Sequence, residues 1–228
     1  MYSVFGKTNC SRNNAGVGGI WWDKNHTYVN AIANELFFST AASLANRAGG
    51  SYSGVSYLDI AKKQLAWFKG TGMIQNNSTI NDGLDQQTCR NNGGTIWTYN
   101  QGVILGGLVE LSRETSDKSY IDTAHSIANA AIATLAPSGI LKDSCEPNCG
   151  PDGSQFKGIF IRNLLILHKA SPRDSYKDFF KRNAISIWDH DRNKRNELSI
   201  SWGGPFVSPA NASTQSSAMD CLVAAVAT

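Results

Sequence analysis

Apolar positions recur at helical spacing along most of the chain, and they fall into two kinds of segment. In the first kind they form a single stripe: Ile60, Leu65, Trp67 and Phe68, then Ile121, Ala124, Ile127 and Ala131, then Phe179, Phe180, Ala184 and Ile187. Each stripe opens alike, on Tyr57-Leu58-Asp59-Ile60-Ala61, Tyr120-Ile121-Asp122-Thr123-Ala124 and Tyr176-Lys177-Asp178-Phe179. Lys62, Lys63, Lys177, Lys181 and Arg182 occupy the other face, so these helices belong at the surface. The second kind spans 28–47, 99–112, 156–169 and 213–227. It is apolar nearly all round and rich in small residues, as in Val103-Ile104-Leu105-Gly106-Gly107-Leu108-Val109, and belongs inside. Inner and outer segments alternate, and the connection after an outer one recurs as Gly72-Met73-Ile74 and Gly139-Ile140-Leu141. The pattern predicts an all-α protein of three αα-hairpins plus one unpaired inner helix. Two architectures satisfy it, an arc of a toroid and an open solenoid.

In a toroid the loops that enter the inner helices gather on one rim. Those loops carry Gly18-Gly19-Ile20-Trp21-Trp22-Asp23, then Asn81-Asp82-Gly83-Leu84-Asp85 with Trp97 to Gln101, then Gln155-Phe156-Lys157-Gly158 with Arg162-Asn163, and Trp202-Gly203-Gly204-Pro205 with Thr214-Gln215. Aromatic faces stack on the C–H patches of a sugar, and neighbouring amides and carboxylates bond its hydroxyls. One such loop is equally well explained by packing, with Trp97 and Tyr99 in the core and Asn100 as a helix cap. Four loops of the same chemistry on one rim point to a carbohydrate cleft.

Composition excludes several other functions. The 228 residues can bury one core, and 41% apolar with 17% charged residues is a globular balance. A net charge of +3 without a basic run gives no nucleic-acid or anionic-lipid surface. No apolar run reaches transmembrane length, and Met1-Tyr2-Ser3-Val4-Phe5-Gly6-Lys7 lacks the charged start and apolar stretch of a secretory leader. There is no P-loop, nucleophile elbow or zinc spacing, and neither a metal nor a cofactor is expected. Of five cysteines, Cys145 and Cys149 lie close enough in a loop to bridge, and Cys10 and Cys89 both precede rim loops. Cys221 is then an odd thiol inside an apolar helix. With sequons at Asn25, Asn77 and Asn211, the cysteines favour an oxidising, secreted setting.

Several strings are similar to glycoside hydrolase family 76, the fungal endo-α-1,6-mannanases and their cell-wall relatives that act on GPI-linked mannan. They are Gly-Gly-Ile-Trp-Trp-Asp (18–23), Asn-Ala-Ile-Ala-Asn-Glu-Leu-Phe (30–37), Asn-Asp-Gly-Leu-Asp (81–85), Trp-Thr-Tyr-Asn-Gln-Gly (97–102), Phe-Lys-Gly-Ile-Phe-Ile-Arg-Asn (156–163) and Thr-Gln-Ser-Ser-Ala (214–218). The resemblance implies an (α/α)6 toroid, an α-1,6-linked mannose substrate, retaining chemistry, and an extracellular or cell-wall location for the parent protein. It also implies glycan contacts by Trp21, Trp22, Asp23, Asn34, Asp82, Asp85, Trp97, Tyr99, Asn100, Gln101, Lys157, Arg162, Trp202 and Gln215.

One departure is large. The family uses two adjacent aspartates ahead of the Gly-Gly-Ile-Trp-Trp-Asp loop, whereas this sequence has no Asp-Asp, and about three and a half hairpins cannot close a ring of six. The chain therefore reads as the C-terminal portion of a family member, one partial-toroid domain over 1–228, with the catalytic pair expected upstream of Met1. Bare sides of the inner helices should then expose Ile104, Leu108, Ile159 and Phe160. Within the chain, Asp82 and Asp85 are substitute candidates, since retaining glycosidases set two carboxyl groups about 5 Å apart. The competing reading makes them a turn cap and a helix cap. Glu35 and Glu110 sit within helices, where pairing or a supporting role behind the site is the default, and Asp189-His190-Asp191 reads as a solvated loop beside Arg192, Lys194 and Arg195.

Overall fold

A computed structural model of the chain describes Cys10 and residues 19–228. Gly18, and the Met1–Lys7 stretch read for a leader, lie outside the described residues. The first two hairpins pair as expected; the third is looser, because its outer helix packs chiefly on the last helix. α1 (Ala31–Ala48) is joined by a small hairpin, β1 (Ser51–Tyr52) and β2 (Val55–Ser56), to α2 (Tyr57–Gly70). α3 (Thr98–Thr115) is followed by α4 (Ser119–Leu135). A single turn, α5 (Gly150–Gly153), leads into α6 (Phe156–Ala170), then α7 (Asp174–Ser186) and the unpaired α8 (Ala212–Val226). α1 begins at Ala31 because Tyr28 to Asn30 is drawn into extended contact with the 81–85 loop. Asn30 bridges Gly83 and its side chain caps the helix by accepting from the Ala33 N–H.

The inner helices stand side by side: α1 packs on α3, α3 on α6 and α6 on α8. Glycines set the spacing. A Cβ on Gly102 would lie 2.6 Å from Phe160 Cα, and one on Gly158 would lie 2.7 Å from Ser217 Cα, so backbones meet where any side chain would hold them apart. α2 and α4 lie behind α1 and α3, while α7 leans chiefly on α8. This is an arc of toroid type. The main core, with Trp67, Phe68, Leu105, Leu108, Phe160 and Phe180, fills the space between the two layers. A second, smaller cluster of Ile32, Tyr99 and Val103, with Trp97, Phe156 and Ile159 against it, faces away from the outer helices.

The bare surface is not where the sequence places it. Ile104, Leu108 and Phe160 are buried in the main core, and Ile159 packs on the smaller cluster. They lie on helices that have a neighbour on each side. Exposed apolar side chains include Leu36 and Leu44 on α1 and Met219, Val223 and Val226 on α8, at the two ends of the arc, with Ile166 on α6, Ile185 on α7, and Trp22, Tyr52 and Trp188 elsewhere. No described helix is long and apolar enough to cross a membrane.

Candidate functional site

The N-termini of α1, α3 and α6 meet at a cleft of about 360 Å³ lined by Trp22, Tyr28, Asn30, Asp82, Trp97, Tyr99, the Cys145–Cys149 bridge, Asp152, Gly153 and Phe156. Its floor is aromatic. Tyr99 stacks on Phe156 with ring centroids 3.8 Å apart, and Trp97 meets Phe156 edge-on at 5.6 Å. Tyr99 is buried and Trp97 and Phe156 are half-buried. Trp22 stands over the rim, 57% exposed.

One wall is anchored to α1. The Ala31 N–H donates to the Asp82 carbonyl at 2.7 Å, and Gly83 fits where a Cβ would lie 2.7 Å from the Val29 carbonyl. The Asp82 carboxylate accepts from the Tyr28 hydroxyl at 2.9 Å, and Asn92 Nδ2 donates to that same hydroxyl at 3.0 Å. Burial pushes the Tyr28 phenol up to about 12, with Asp82 contributing. Tyr99 is raised further still, by burial first and then by the field of Asp82 and Glu35. Asp82 thus uses one hydrogen bond to fix its orientation and keeps acceptor capacity for a hydroxyl donor in the cleft.

The opposite wall rests on a buried charge cluster. Asp143 accepts from the Thr98 N–H and Oγ1 at 2.9 and 2.7 Å, which caps α3 where Trp97 has no capping side chain. Glu146 pairs with Lys157 at 2.8 Å, and Lys157 Nζ also donates to the Ile200 carbonyl at 2.6 Å and lies 4.5 Å over the Trp202 ring. Asp191 accepts from Ser199. Burial pushes Asp143 and Asp191 up to about 6 and the Lys157 ammonium down, against the pull of Glu146. Three rim segments and the starts of α3 and α6 are tied together through this cluster.

Of the residues proposed from sequence, Trp22, Asp82, Trp97 and Tyr99 line the cleft. The disulfides Cys10–Cys89 and Cys145–Cys149 are both formed, and Cys221 is free and buried. The rest are placed elsewhere. Asp85 is turned to its own loop, accepting from the Gln87 and Thr88 N–H groups and the Thr88 hydroxyl, and Asp23 does the same with Asn25 and Thr27. Asp85 caps a turn, not a helix. Asn34 is buried against Ile20, Asn30 and Gln64, and Gln101 against Ile80 and Trp97. Asn100 is buried inside the first turn of α3 rather than capping it, and neither of its side-chain polar atoms has a partner among the described residues. Lys157 and Trp202 are inside the charge cluster, Arg162 pairs with Asp220 at 3.3 Å, and Gln215 accepts from the Leu198 N–H. Trp21 stacks on His26.

Two acidic assignments change as well. Glu110 is paired with Arg47 and Asn46, but Glu35 is 1% exposed with both oxygens unpartnered. Asp189-His190-Asp191 forms a π-helical turn, Ile187–Asp191, rather than a loop: Asp189 and His190 are solvated as expected, while Asp191 is carried inward to Ser199. Tyr28, Asn30 and Asp152 line the cleft and were missed. Their only sequence signal is proximity to a helix start, which a great many polar residues share.

The chain matches the model of "Glycosyl hydrolase family 76" over residues 7–228. It is 31% identical over 197 residues to the mannan endo-1,6-alpha-mannosidase DFG5 of Saccharomyces cerevisiae, covering 81% of this chain and 41% of that protein. It is 30% identical over 148 residues to DCW1 of Candida glabrata, covering 63% and 32%. Among solved structures it resembles Dfg5 from Chaetomium thermophilum in complex with glucosamine (TM-score 0.78, 20% identity, 99% of this chain and 57% of that one). It also resembles an inactive variant of the α-1,6-mannanase GH76A of Salegentibacter sp. HEL1_6 in complex with α-1,6-mannotriose (TM-score 0.82, 24% identity, 99% and 65%). The chain spans about two-fifths of the length of DFG5, so the likeness concerns that share of it. A match over nearly every residue, with the same arc of inner helices, places the chain in glycosyl hydrolase family 76.

Proposed function

We propose that residues 1–228 carry the saccharide-binding part of an enzyme acting on α-1,6-linked mannan, and that the chain by itself turns substrate over at a rate near background. The observation that carries this is the cleft, in which an aromatic floor of Tyr99, Phe156 and Trp97 faces the oriented carboxylate of Asp82. Rings of that kind stack on sugars, and a chain of mannose units offers both C–H faces and hydroxyl donors. Relatives named as mannan endo-1,6-alpha-mannosidases, and neighbours crystallised with α-1,6-mannotriose and α-1,6-mannotetrose, support the same substrate class. A GPI-linked mannan, a cell-wall or extracellular location and glycosylation at the sequons belong to the same reading.

Low turnover follows from the carboxylates. Asp85 caps its own turn and Glu35 is buried, so the cleft wall keeps Asp82 and, across it, Asp152. A retaining pair of adjacent aspartates, as the family resemblance implies, would be supplied by a segment outside this sequence. The second reading is a mannan-binding or scaffold module without chemistry, which the same lack of a matched pair favours. Release of reducing ends from α-1,6-mannan by purified 1–228 should stay near background and rise when a segment carrying adjacent aspartates is joined to the N-terminus. Robust turnover abolished by Asp82→Asn or Asp152→Asn would overturn the assignment. Absence of any rise on joining that segment would favour the non-catalytic module.

A further inference from the structure

The cleft has a buried acid behind it that no bond accounts for. Glu35 lies on α1 one turn before Phe38, and Asn100 lies on α3 two turns before Gly107. Phe38 and Gly107 meet so closely that a Cβ on Gly107 would lie 3.1 Å from Ser39 Cα. Glu35 and Asn100 therefore face the same α1–α3 seam, on the side toward the helix N-termini. Glu35 is 1% exposed and Asn100 is fully buried, and all four of their side-chain polar atoms are without a partner among the described residues. Just above them are Tyr99, whose ring floors the cleft, and the loop that holds Asp82 against Ala31.

We propose that Glu35 is a positioning residue for this cleft: with Asn100 it lines the α1–α3 seam behind Asp82 and Tyr99, and its state of protonation decides whether that seam stays closed. This rests on the reading of the cleft as a saccharide site. Burial holds the Glu35 carboxyl well above the usual carboxylate range, and the charge of Asp82 acts in the same direction. No cation faces it to offset an anion: the charged group is the Asp82 carboxylate from the 81–85 loop, the neutral ones are the Tyr99 phenol and the Asn100 amide from α3, and Asn34 on its own helix is turned to Ile20 and Gln64. Loss of the proton to solvent would set a second negative charge behind Asp82, and an unpaired buried charge draws water in. The seam would have to open at the level of Tyr99, and the floor would lose its geometry.

The test is a pH series on the whole chain with two readouts. The Glu35 carboxyl carbon, followed by NMR in labelled protein, should stay protonated where exposed glutamates have already titrated, and the Tyr99 and Asp82 amide signals should move with it when it does titrate. Affinity for α-1,6-mannotetraose, by calorimetry, should fall about tenfold across that step, and Glu35→Gln should keep the low-pH affinity and lose that step, leaving only the change near 6 from Asp143 and Asp191. A Glu35 that titrates with the surface glutamates, amides that ignore its titration, or a Gln variant with the same pH step would each overturn the proposal. If mannotetraose binds at no pH, the mannan reading falls, and the carboxyl and amide signals still decide the role of Glu35. They also decide it if the variant does not fold.

Discussion

α3 and α8 are both inner helices of small and apolar residues, and their fates differ. Every residue of α3 from Thr98 to Ser112 is buried, whereas α8 buries Thr214, Ser217, Ala218, Cys221 and Ala224 and leaves Met219, Val223 and Val226 in the open. Composition does not separate them. α3 has α1 and α6 on its flanks and α4 behind it, while α8, among the described helices, rests on α6 and α7. What an inner helix buries is decided by how many helices stand beside it, so equal changes on the two should have unequal costs. α8 also depends more on the rim loops, since Thr214 and Gln215 hold it to Leu198.

Those loops are held by Lys157, and its removal should have the largest effect. Lys157→Met keeps the stem and deletes the ammonium, leaving Glu146 unpaired and Asp143 and Asp191 without their cation. A broken buried pair of this kind costs about 3–5 kcal/mol. Chemical denaturation should show that loss near pH 7 and a smaller one near pH 5. Asp143 and Asp191 have folded-state values near 6, above the ordinary aspartate value of 3.8, so the folded protein takes up their protons first. Their contribution to stability is fully present below 3.8 and is lost as pH rises through 6. Protonated, they need the cation less. An equal loss at both pH values would mean that Lys157 is held by Glu146 and the Ile200 carbonyl alone.

The α3 flank comes next. Gly102→Leu forces a side chain against the Phe160 backbone, which a rotamer change cannot relieve, and should cost about 3 kcal/mol. The matched change on the open face of α8, Ser216→Leu, should be close to neutral in the same thermal melts. Similar costs at both positions would erase the distinction between the helices. Trp97→Ala, at the mouth of α3, should weaken α-1,6-mannotetraose binding by about 1–3 kcal/mol, the range for losing one stacked ring. Unchanged affinity in calorimetry would reduce Trp97 to packing on Phe156.

The difference between the helices also marks what could be read from sequence. Helical period, the inner and outer alternation and the aromatic rim were legible, because each is a local pattern that survives whatever the neighbours are. Orientation about the helix axis was not. Asn34, Asn100 and Gln101 have the chemistry of sugar-binding amides and lie next to cleft residues, yet they point into seams, and only the position of α1 relative to α3 decides that. Lys157 reads as a rim cation until Glu146 is brought to it from eleven residues away by the disulfide loop. The same limit misplaced the bare surface: Ile104 and Val223 look alike in sequence, and one has a neighbour where the other has none.

The smallest predicted effect is on that bare surface. Met219 is 43% and Val223 56% exposed on one stripe of α8. Replacing both with serine removes little that is out of water, so residues 1–228 should lose no more than about 0.5 kcal/mol, with helix propensity nearly unchanged. Self-association should fall, since the stripe is then no longer an apolar patch. Denaturation curves and sedimentation on one preparation give both quantities. A loss above about 1 kcal/mol, together with a change from dimer to monomer, would mean that a second copy covers α8 in solution. In a longer chain whose extra helices stand against α8, the same two substitutions should cost about 2–4 kcal/mol each, the ordinary result for truncating a buried side chain. The ratio of the two costs measures how far the open end of the arc is solvent in one context and core in the other.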